Sequence, residues 1–166
     1  SNIKTTPHAL DFMVSAGAKK LFRDIDIFSD IELEARHEIN LENYKLKIQI
    51  ESRVIQDLAL NYIVPTAIKY QNVLIENVKG LKEILGSDFT KFAEAQLKTI
   101  TEISDRITRI KNNVEEMVEE RKKANAFKEV KKSAITYCDN VLPYFEKIRY
   151  DVDKLELIVE DELWPL

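Results

Sequence analysis

The sequence contains very few of the residues that turn or interrupt secondary structure. Only 3 of its 166 residues are glycine and 4 are proline. A sandwich or barrel of short strands needs many more turn residues than this, so those architectures are excluded. Leucine, isoleucine, glutamate, lysine and alanine dominate instead, and all of them favour helices. The composition therefore predicts an all-α protein.

Other scarcities narrow the class of protein. The single cysteine, Cys138, excludes an intrachain disulfide and fits a reducing compartment, so we expect a cytoplasmic protein. No apolar run is long enough to cross a bilayer, so no membrane partner is expected. The 25 Lys and Arg residues are outnumbered by 29 Asp and Glu, which argues against nucleic acid as a partner. A hydrophobic content of 45% excludes a disordered chain.

The apolar spacing predicts a short first helix. Thr6 suits its cap and Pro7 its first helical position. Apolar residues then recur at helical spacing as far as Phe22. We expect this helix to end in the loop Asp24–Phe28.

A very long second helix is predicted next. Ser29 and Glu32 have the spacing of a capping box, in which each side chain bonds the other residue's N–H. The apolar stripe from Ile55 to Leu81 does not change phase at Pro65, so a bend is expected there and not a stop. Gly86 is the expected left-handed end of the helix.

The third helix is predicted to begin at the cap Ser87-Asp88 and to end at Arg121-Lys122-Lys123. It has a heptad-like apolar seam made of Ala93, Gln96, Ile100, Ile103, Ile107, Ile110, Val114 and Met117. Its solvent face is expected to carry ion pairs four residues apart, Glu94/Lys98, Glu102/Arg106, Asp105/Arg109 and Glu119/Lys123.

The fourth helix is expected to start at Asn125 and to bend at Pro143. Its seam comprises Phe127, Val130, Ala134, Tyr137, Val141, Phe145, Ile148, Val152, Leu155 and Val159. The loops are short, and short loops make neighbouring helices antiparallel. Residues 1–166 are therefore predicted to form a single up-down bundle of long, Pro-kinked helices, with residues 1–28 leading into it.

Few residues suggest chemistry. Glu34 and His37 have the Glu-x-x-His spacing of helical di-metal sites, but such a site needs the motif twice, and the only other histidine is His8. A solvated or capping histidine is the simpler interpretation. Cys138 lies beside a seam residue, which favours an inert buried thiol over a nucleophile. We therefore predict no catalytic, cofactor-binding or metal-binding residue.

Two further features leave alternatives open. Five lysines around one interhelical turn form either an anion-binding patch or a helix end with a solvated face: Lys122, Lys123, Lys128, Lys131 and Lys132. Trp164 either packs on the bundle or anchors a neighbouring domain. The sequence breaks off abruptly after it, which suggests a piece of a larger enzyme.

Several stretches, taken in order, resemble the C-terminal region of type III glutamine synthetases, the large-subunit class. The most specific internal match is Ile63–Gln71. The others are Asn2–Leu10, Arg36–Ile39, Ile48–Glu51, Tyr137–Asp139, Pro143-Tyr144, Ile148–Tyr150, Asp153–Leu157 and Asp161–Leu166. No single stretch is a catalytic motif, but together they cover nearly the whole chain.

The resemblance implies a parent enzyme that joins ammonia to glutamate with ATP and a divalent metal, Mg or Mn. The family's catalytic and ATP-binding motifs lie upstream and none occurs here, so no catalytic residue is carried over. The implied partners are the catalytic domain of the same polypeptide and neighbouring subunits of a homo-oligomeric ring. The role implied for this bundle is structural or in assembly; the alternative is a free-standing helical adaptor.

Overall fold

A computed structural model describes residues 3–164, and within them the chain forms helices and turns without any strand. The all-α prediction is therefore confirmed. Seven α-helices lie in this range: α1 (Thr6–Leu10), α2 (Ala16–Asp24), α3 (Asp30–Leu58), α4 (Val64–Leu85), α5 (Phe89–Ala126), α6 (Val130–Thr136) and α7 (Pro143–Glu156).

The first predicted helix is broken in the structure. α1 ends at Leu10, a 3-10 turn follows, and Ser15 adopts an extended backbone with ψ of 153°. The Ser15 hydroxyl accepts a hydrogen bond from the Ala18 N–H at 3.3 Å and so caps α2. Because a serine can satisfy a helix start with its side chain, it competes with continuation of the helix. The cap of α1 is also Thr5 and not Thr6 as predicted.

The capping box at the start of α3 is confirmed. The Ser29 N–H donates to Glu32 Oε2 at 2.8 Å, and the Glu32 N–H donates to Ser29 Oγ at 3.3 Å. These bonds favour the charged carboxylate, so the pKa of Glu32 lies below its ordinary value. The two hydrogen bonds satisfy backbone N–H groups at the start of α3, which is 29 residues long.

The chain stays helical across Pro65, as predicted. A π turn, Ala59–Ile63, joins α3 to α4, and in it the Val64 N–H donates to the carbonyl of Ala59, five residues back. Proline has no N–H to give the carbonyl four residues back, so a widened turn accommodates it without ending the helix. The accompanying bend stays a prediction.

A second π turn, Tyr137–Val141, precedes Pro143. Here the Leu142 N–H donates to the Tyr137 carbonyl at 3.0 Å, again five residues back. Each proline thus stands two residues after the end of a π turn. The helical phase persists through both interruptions, in agreement with the unbroken apolar pattern of the sequence.

Two predicted boundaries of the last helices are wrong. α5 does not close at Lys123 but continues to Ala126, so Asn125 lies inside α5 and does not start the fourth helix. That helix begins at Val130, after Glu129 adopts an extended backbone with ψ of 119°. The Asn125 side chain bonds across to a neighbouring helix, which explains why its presence does not mark a helix start.

Gly86 ends α4 with a φ of +57°, in agreement with the predicted stop. Residues with a Cβ rarely adopt this φ, so glycine is the suitable residue. A 3-10 turn, Gly86–Asp88, then leads directly into α5.

The chain divides into two compact units, each drawn from separate stretches of sequence. Unit 1 comprises Ser1–Arg53 with Glu116–Tyr144, and unit 2 comprises Val54–Glu115 with Phe145–Leu166. The prediction of one bundle over residues 1–166 stays a prediction.

Within each unit, hydrogen bonds show that neighbouring helices are antiparallel. In unit 1, Arg121 of α5 bonds Ser52 of α3, and Gln49, three residues earlier in α3, bonds Asn125, four residues later in α5. In unit 2, α4 and α5 show the same opposite progression: Gln71 bonds Ser104, and Gln96 bonds Asn77. These pairs confirm the direction that the short loops predicted.

Both predicted seams lie inside the units. All eight residues of the α5 seam and all ten of the last seam are buried or half-buried. In unit 1, Leu41, Ile48, Met117 and Tyr137 are almost fully enclosed, and in unit 2 Ala67, Ile103, Ile110, Ile148 and Leu155 are. Burial of these apolar side chains is the main stabilising contribution to each unit.

Candidate functional site

A polar cluster in unit 1 contains the histidine of the Glu-x-x-His motif. His37 Nε2 lies 3.2 Å from Asp11 Oδ1, and Lys131 Nζ lies 2.8 Å from the same oxygen. Burial raises the pKa of Asp11, but the hydrogen bonds and charges of Lys131 and His37 outweigh it and bring the pKa below its ordinary value. Asp11 therefore ties the 3-10 turn after α1 to both α3 and α6.

The other half of the motif makes a separate contact. Glu34 Oε1 pairs with Lys19 Nζ of α2 at 2.6 Å, so Glu34 and His37 do not converge on one point. His8 hydrogen-bonds Thr5. No group of three or more His, Cys, Asp or Glu that would suit a metal ion occurs between residues 3 and 164.

A second polar cluster joins α3, α5 and the second π turn. The fully buried Tyr137 donates its hydroxyl hydrogen to Asn125 Oδ1 at 2.8 Å, and Gln49 Nε2 donates to the same oxygen at 3.2 Å. Burial raises the pKa of Tyr137. The network satisfies polar groups inside the unit, where an unpaired group would be costly.

Cys138 is half-buried in the same π turn. It forms a hydrogen bond with Tyr44, and burial together with this bond raises the pKa of Tyr44. The thiol thus has a neutral phenol beside it.

In unit 2, α5 and α7 meet at a buried carboxylate. Asp151 Oδ1 accepts hydrogen bonds from Arg106 Nη1 at 3.0 Å and from Arg109 Nη2 at 2.9 Å. The Asp151 side chain is only 4% exposed. The hydrogen bond to Asp151 raises the pKa of Arg109.

The spacing of residues along the chain does not predict this cluster. It predicts solvent-facing pairs of Arg106 with Glu102 and of Arg109 with Asp105. The pair of Arg106 with Glu102 is present at 2.6 Å, but Arg109 bonds Asp151 instead. The one signal in the sequence is the position of Asp151, three residues after the seam residue Ile148, on the face that the seam buries.

The five lysines around the α5–α6 turn mostly have partners within unit 1. Lys122 pairs with Glu119 and Lys123 with Glu120, both at 2.6 Å. Lys131 pairs with Asp11 at 2.8 Å, and the Lys132 ammonium lies 4.4 Å from the centre of the Phe127 ring. The charges are thus largely compensated, which favours the solvated face over an anion-binding patch.

The outward side of α3 in unit 1 is unusually apolar. Ile39 is 54% exposed, Leu46 51% and Ile50 54%, and Ile31 at the start of the helix is 78% exposed. Successive members are four, seven or eight residues apart, so they share one face of the helix. Such a face is typical of a protein contact surface.

A groove of about 660 Å³ lies in unit 2, beside the first π turn. Apolar side chains from the end of α3, the π turn and α7 make most of its wall, including Leu58, Ala59, Tyr62, Phe145, Ile148 and Val152. Charged residues of α7 complete its lining. This composition suits an apolar group and offers no reactive constellation.

None of the helices between residues 3 and 164 is sufficiently long and apolar to span a membrane. Trp164, at the end of the described range, is half-buried.

Comparison with known proteins identifies relatives of the whole chain. Residues 1–82 match the family described as glutamine synthetase C-terminal domain. The chain is 42% identical over 167 residues to a glutamine synthetase of Bacteroides fragilis (strain YCH46) and 28% identical over 168 residues to the type-3 glutamine synthetase of Dictyostelium discoideum. It is 26% identical over 161 residues to a glutamine synthetase of Butyrivibrio fibrisolvens.

These alignments include 97–100% of this chain but only 23% of the length of each relative. The chain thus spans about a quarter of the proteins that it matches. The resemblance found in the sequence is confirmed. The chain belongs to the family of glutamine synthetase C-terminal domains.

Proposed function

We propose that this chain is a structural domain that supports the assembly of a glutamine synthetase and takes no part in its chemical step. The proposed parent joins ammonia to glutamate, using ATP and Mg or Mn, and produces glutamine in the cytoplasm. Its catalytic groups belong to the polypeptide upstream of this domain. The family membership supports this proposal, because the relatives are named glutamine synthetases and this chain matches only 23% of each.

The exposed apolar face of α3 is the observation that carries the proposal. Ile39, Leu46 and Ile50 keep half or more of their surface in contact with solvent although each is a large apolar side chain. Covering such a surface removes it from water and contributes about 25 cal/mol for each Å². A domain that exposes this face gains stability when another protein surface covers it.

The polar contacts between helices support a structural role. Asp11 joins the N-terminal segment to α3 and α6, and Asp151 joins α5 to α7. Both carboxylates are held by basic groups of the same unit, and neither is left available for a substrate. An enzyme site would instead place its reactive groups in a shared cleft.

The assembly role has a simple thermodynamic basis. Contacts that exist only in the assembled protein stabilise that state, because they contribute nothing to the separate subunits. The proposed partners are the catalytic domain of the same polypeptide and neighbouring subunits of a homo-oligomeric ring. No contact with nucleic acid or membrane is part of the proposal.

A second candidate, a helical module that binds a separate protein, draws on the apolar groove of unit 2. Leu58, Tyr62 and Phe145 line it and would accept an apolar helix of a partner. The two candidates predict different effects on the parent enzyme. Loss of an assembly domain weakens the oligomer, whereas loss of a site for a separate protein leaves the oligomer intact.

The test uses the Bacteroides fragilis relative. The region that matches this chain is deleted, and the variant is compared with the complete enzyme by sedimentation and by glutamine formation. We expect smaller or less stable assemblies, with any residual activity following the amount of assembled protein. An intact, equally stable oligomer whose turnover number collapses would contradict the assembly role and require a direct catalytic contribution.

A further inference from the structure

The outward face of α3 has the spacing of a two-helix seam. Ile39, Asn43, Leu46 and Ile50 follow one another at intervals of four, three and four residues. These are the intervals of the a and d positions at which two helices pack side by side. At 100° per residue, the core residues Leu41 and Ile48 lie on the opposite side of the helix. α3 therefore has one apolar face in its own unit and a second one that faces away from it.

The seam contains one polar residue, Asn43, between Ile39 and Leu46. Its side chain is exposed and makes no hydrogen bond with any residue of the range 3–164. A single asparagine at an a position is a known determinant of register in helix pairs. In a parallel pair, each a position faces the same position of the other helix. Asn43 of one copy can then hydrogen-bond Asn43 of a second copy, because an amide is both donor and acceptor.

The charges beside the seam are complementary only in a parallel pair. Glu42 lies on one edge and Lys47 on the other, five residues later. In a parallel pair these two edges meet, so Glu42 of one copy faces Lys47 of the second. In an antiparallel pair like edges meet, and each charge would face another of its own sign.

These flanking charges are free to make such pairs. Neither Glu42 nor Lys47 has an ion-pair partner in the described part of the chain. Two other pairs of charges on α2 and α3 already bond each other, Lys19 with Glu34 and Arg23 with Asp30. Glu42 and Lys47 therefore give up no existing ion pair when a second copy approaches the apolar seam.

From these observations we infer that α3 packs in parallel against α3 of a second copy of this chain along residues 39–50. This inference rests on the proposed assembly role and names the partner for one of its surfaces. Three apolar layers, one asparagine layer and two symmetric Glu42–Lys47 pairs define the contact. The contact is two-fold symmetric and uses the same surface on both copies. Two copies therefore complete it, and no further copies are added through this surface.

The ends of the seam limit its strength. Arg36 and Arg53 occupy the next seam positions, where two copies would bring like charges together. The contact therefore covers only 12 residues and is weak between free chains. In an oligomer held by other contacts, the high effective concentration of neighbouring copies makes such a contact effective.

Disulfide trapping detects this weak contact in the 166-residue chain. In a Cys138→Ser background, Asn43→Cys places two thiols opposite each other, within the reach of a disulfide in a parallel pair. Under mild oxidation we expect a covalent dimer at least ten times faster than for the matched variant Glu38→Cys. Glu38 is exposed on the same helix but lies off the seam. Adding Leu46→Glu to Asn43→Cys should return the rate to that of the control.

Several outcomes would overturn the inference. Equal trapping of Asn43→Cys and Glu38→Cys would mean that α3 does not pair with itself. Trapping that occurs only between a mixture of Asn43→Cys and Leu46→Cys chains would show an antiparallel contact. Circular dichroism of each variant, including the Cys138→Ser background with its substitution at a half-buried position, confirms that it is folded.

The assembly role and the α3 contact can be disproved independently of each other. If deletion of the domain disrupts the parent oligomer but Asn43→Cys is not trapped, the α3 contact is wrong and the assembly role stands. If Asn43→Cys is trapped but deletion leaves the oligomer unchanged, the contact is real and the assembly role is wrong.

Discussion

Arg106 Nη1 lies 3.0 Å from Asp151 Oδ1, although the two residues are 45 positions apart in the sequence. Asp151 is 4% exposed and Arg106 12% exposed, so this ion pair is almost entirely removed from solvent. A buried pair contributes little net stability by itself, because burial of the charges is costly. Removing only one of the two charges is nevertheless strongly destabilising, because the other charge then stays buried without its partner.

Asp151→Ala should therefore destabilise the chain far more than its loss of side-chain volume suggests. We expect the free energy of unfolding to fall by about 3 kcal/mol, because Arg106 would stay buried without this partner. Urea denaturation measures the change. The matched control is Asp153→Ala on the same helix, which should cost well under 1 kcal/mol since its pair with Arg149 is exposed. Equal losses would mean that Asp151 is solvated in solution.

Two isoleucines of unit 2 test the position of the core. Ile103 is 0% exposed and Ile84 is 82% exposed. Ile103→Ala should lower the free energy of unfolding by about 2–5 kcal/mol, through lost burial and the cavity left behind. Ile84→Ala removes the same atoms from a solvated site and should change it by less than about 0.5 kcal/mol. Similar urea midpoints for both variants would contradict the seam in α5.

The first π turn should make Pro65 easy to replace. Pro65→Ala restores an N–H at a place where the helix has already adapted to its absence, so we expect a stability change of less than about 1 kcal/mol. Ala95→Pro, at the seventh residue of α5 and so beyond its first turn, should cost about 3 kcal/mol or more. Thermal melts followed at 222 nm provide the comparison. A Pro65→Ala variant as unstable as Ala95→Pro would show that the proline itself holds the π turn.

Asp11 should make stability depend on pH on the acid side. Its folded-state pKa lies below the ordinary value of 3.8, because Lys131 and His37 favour the carboxylate. A lowered folded pKa gives stability that is present above the unfolded pKa and lost as the pH falls through the folded pKa. Asp11→Asn should therefore reduce the loss of melting temperature between about pH 5 and pH 3.

The control for this pH dependence is Asp24→Asn, at the exposed end of α2. Asp24 has no ion pair within residues 3–164, so this variant should follow the wild-type acid profile. If Asp11→Asn and the wild type lose melting temperature in parallel, the contact of Asp11 with Lys131 and His37 does not contribute to stability in solution.

The helices and their seams could be predicted because they depend on local spacing. The α5 seam from Ala93 to Met117 follows from apolar residues three and four positions apart, and every member is buried or half-buried. The capping box of Ser29 and Glu32 is equally local, since its two hydrogen bonds lie within four residues. Continuity across Pro65 followed from the unchanged apolar phase.

The remaining features depend on contacts between helices and could not be read from spacing alone. Ser15 breaks the first helix by capping the next, while Asn125 stays inside α5 and bonds Tyr137. Serine and asparagine both favour the first position of a helix. Contacts with other helices decide whether a given one caps a helix or lies inside it. The carboxylate of Asp151 meets its arginines through tertiary packing, so its role was not visible in the chain.

One measurement tests the assembly role most directly. In the Bacteroides fragilis relative, the region that matches this chain is replaced by the complete 166-residue chain, and a second variant lacks the region altogether. Sedimentation of both is compared with glutamine formation per assembled subunit. The assembly role predicts that the replacement restores the full oligomer and its stability, while assembled subunits of the shortened variant keep their turnover number. An oligomer that is unchanged by deletion, with turnover lost and then recovered on replacement, would contradict it.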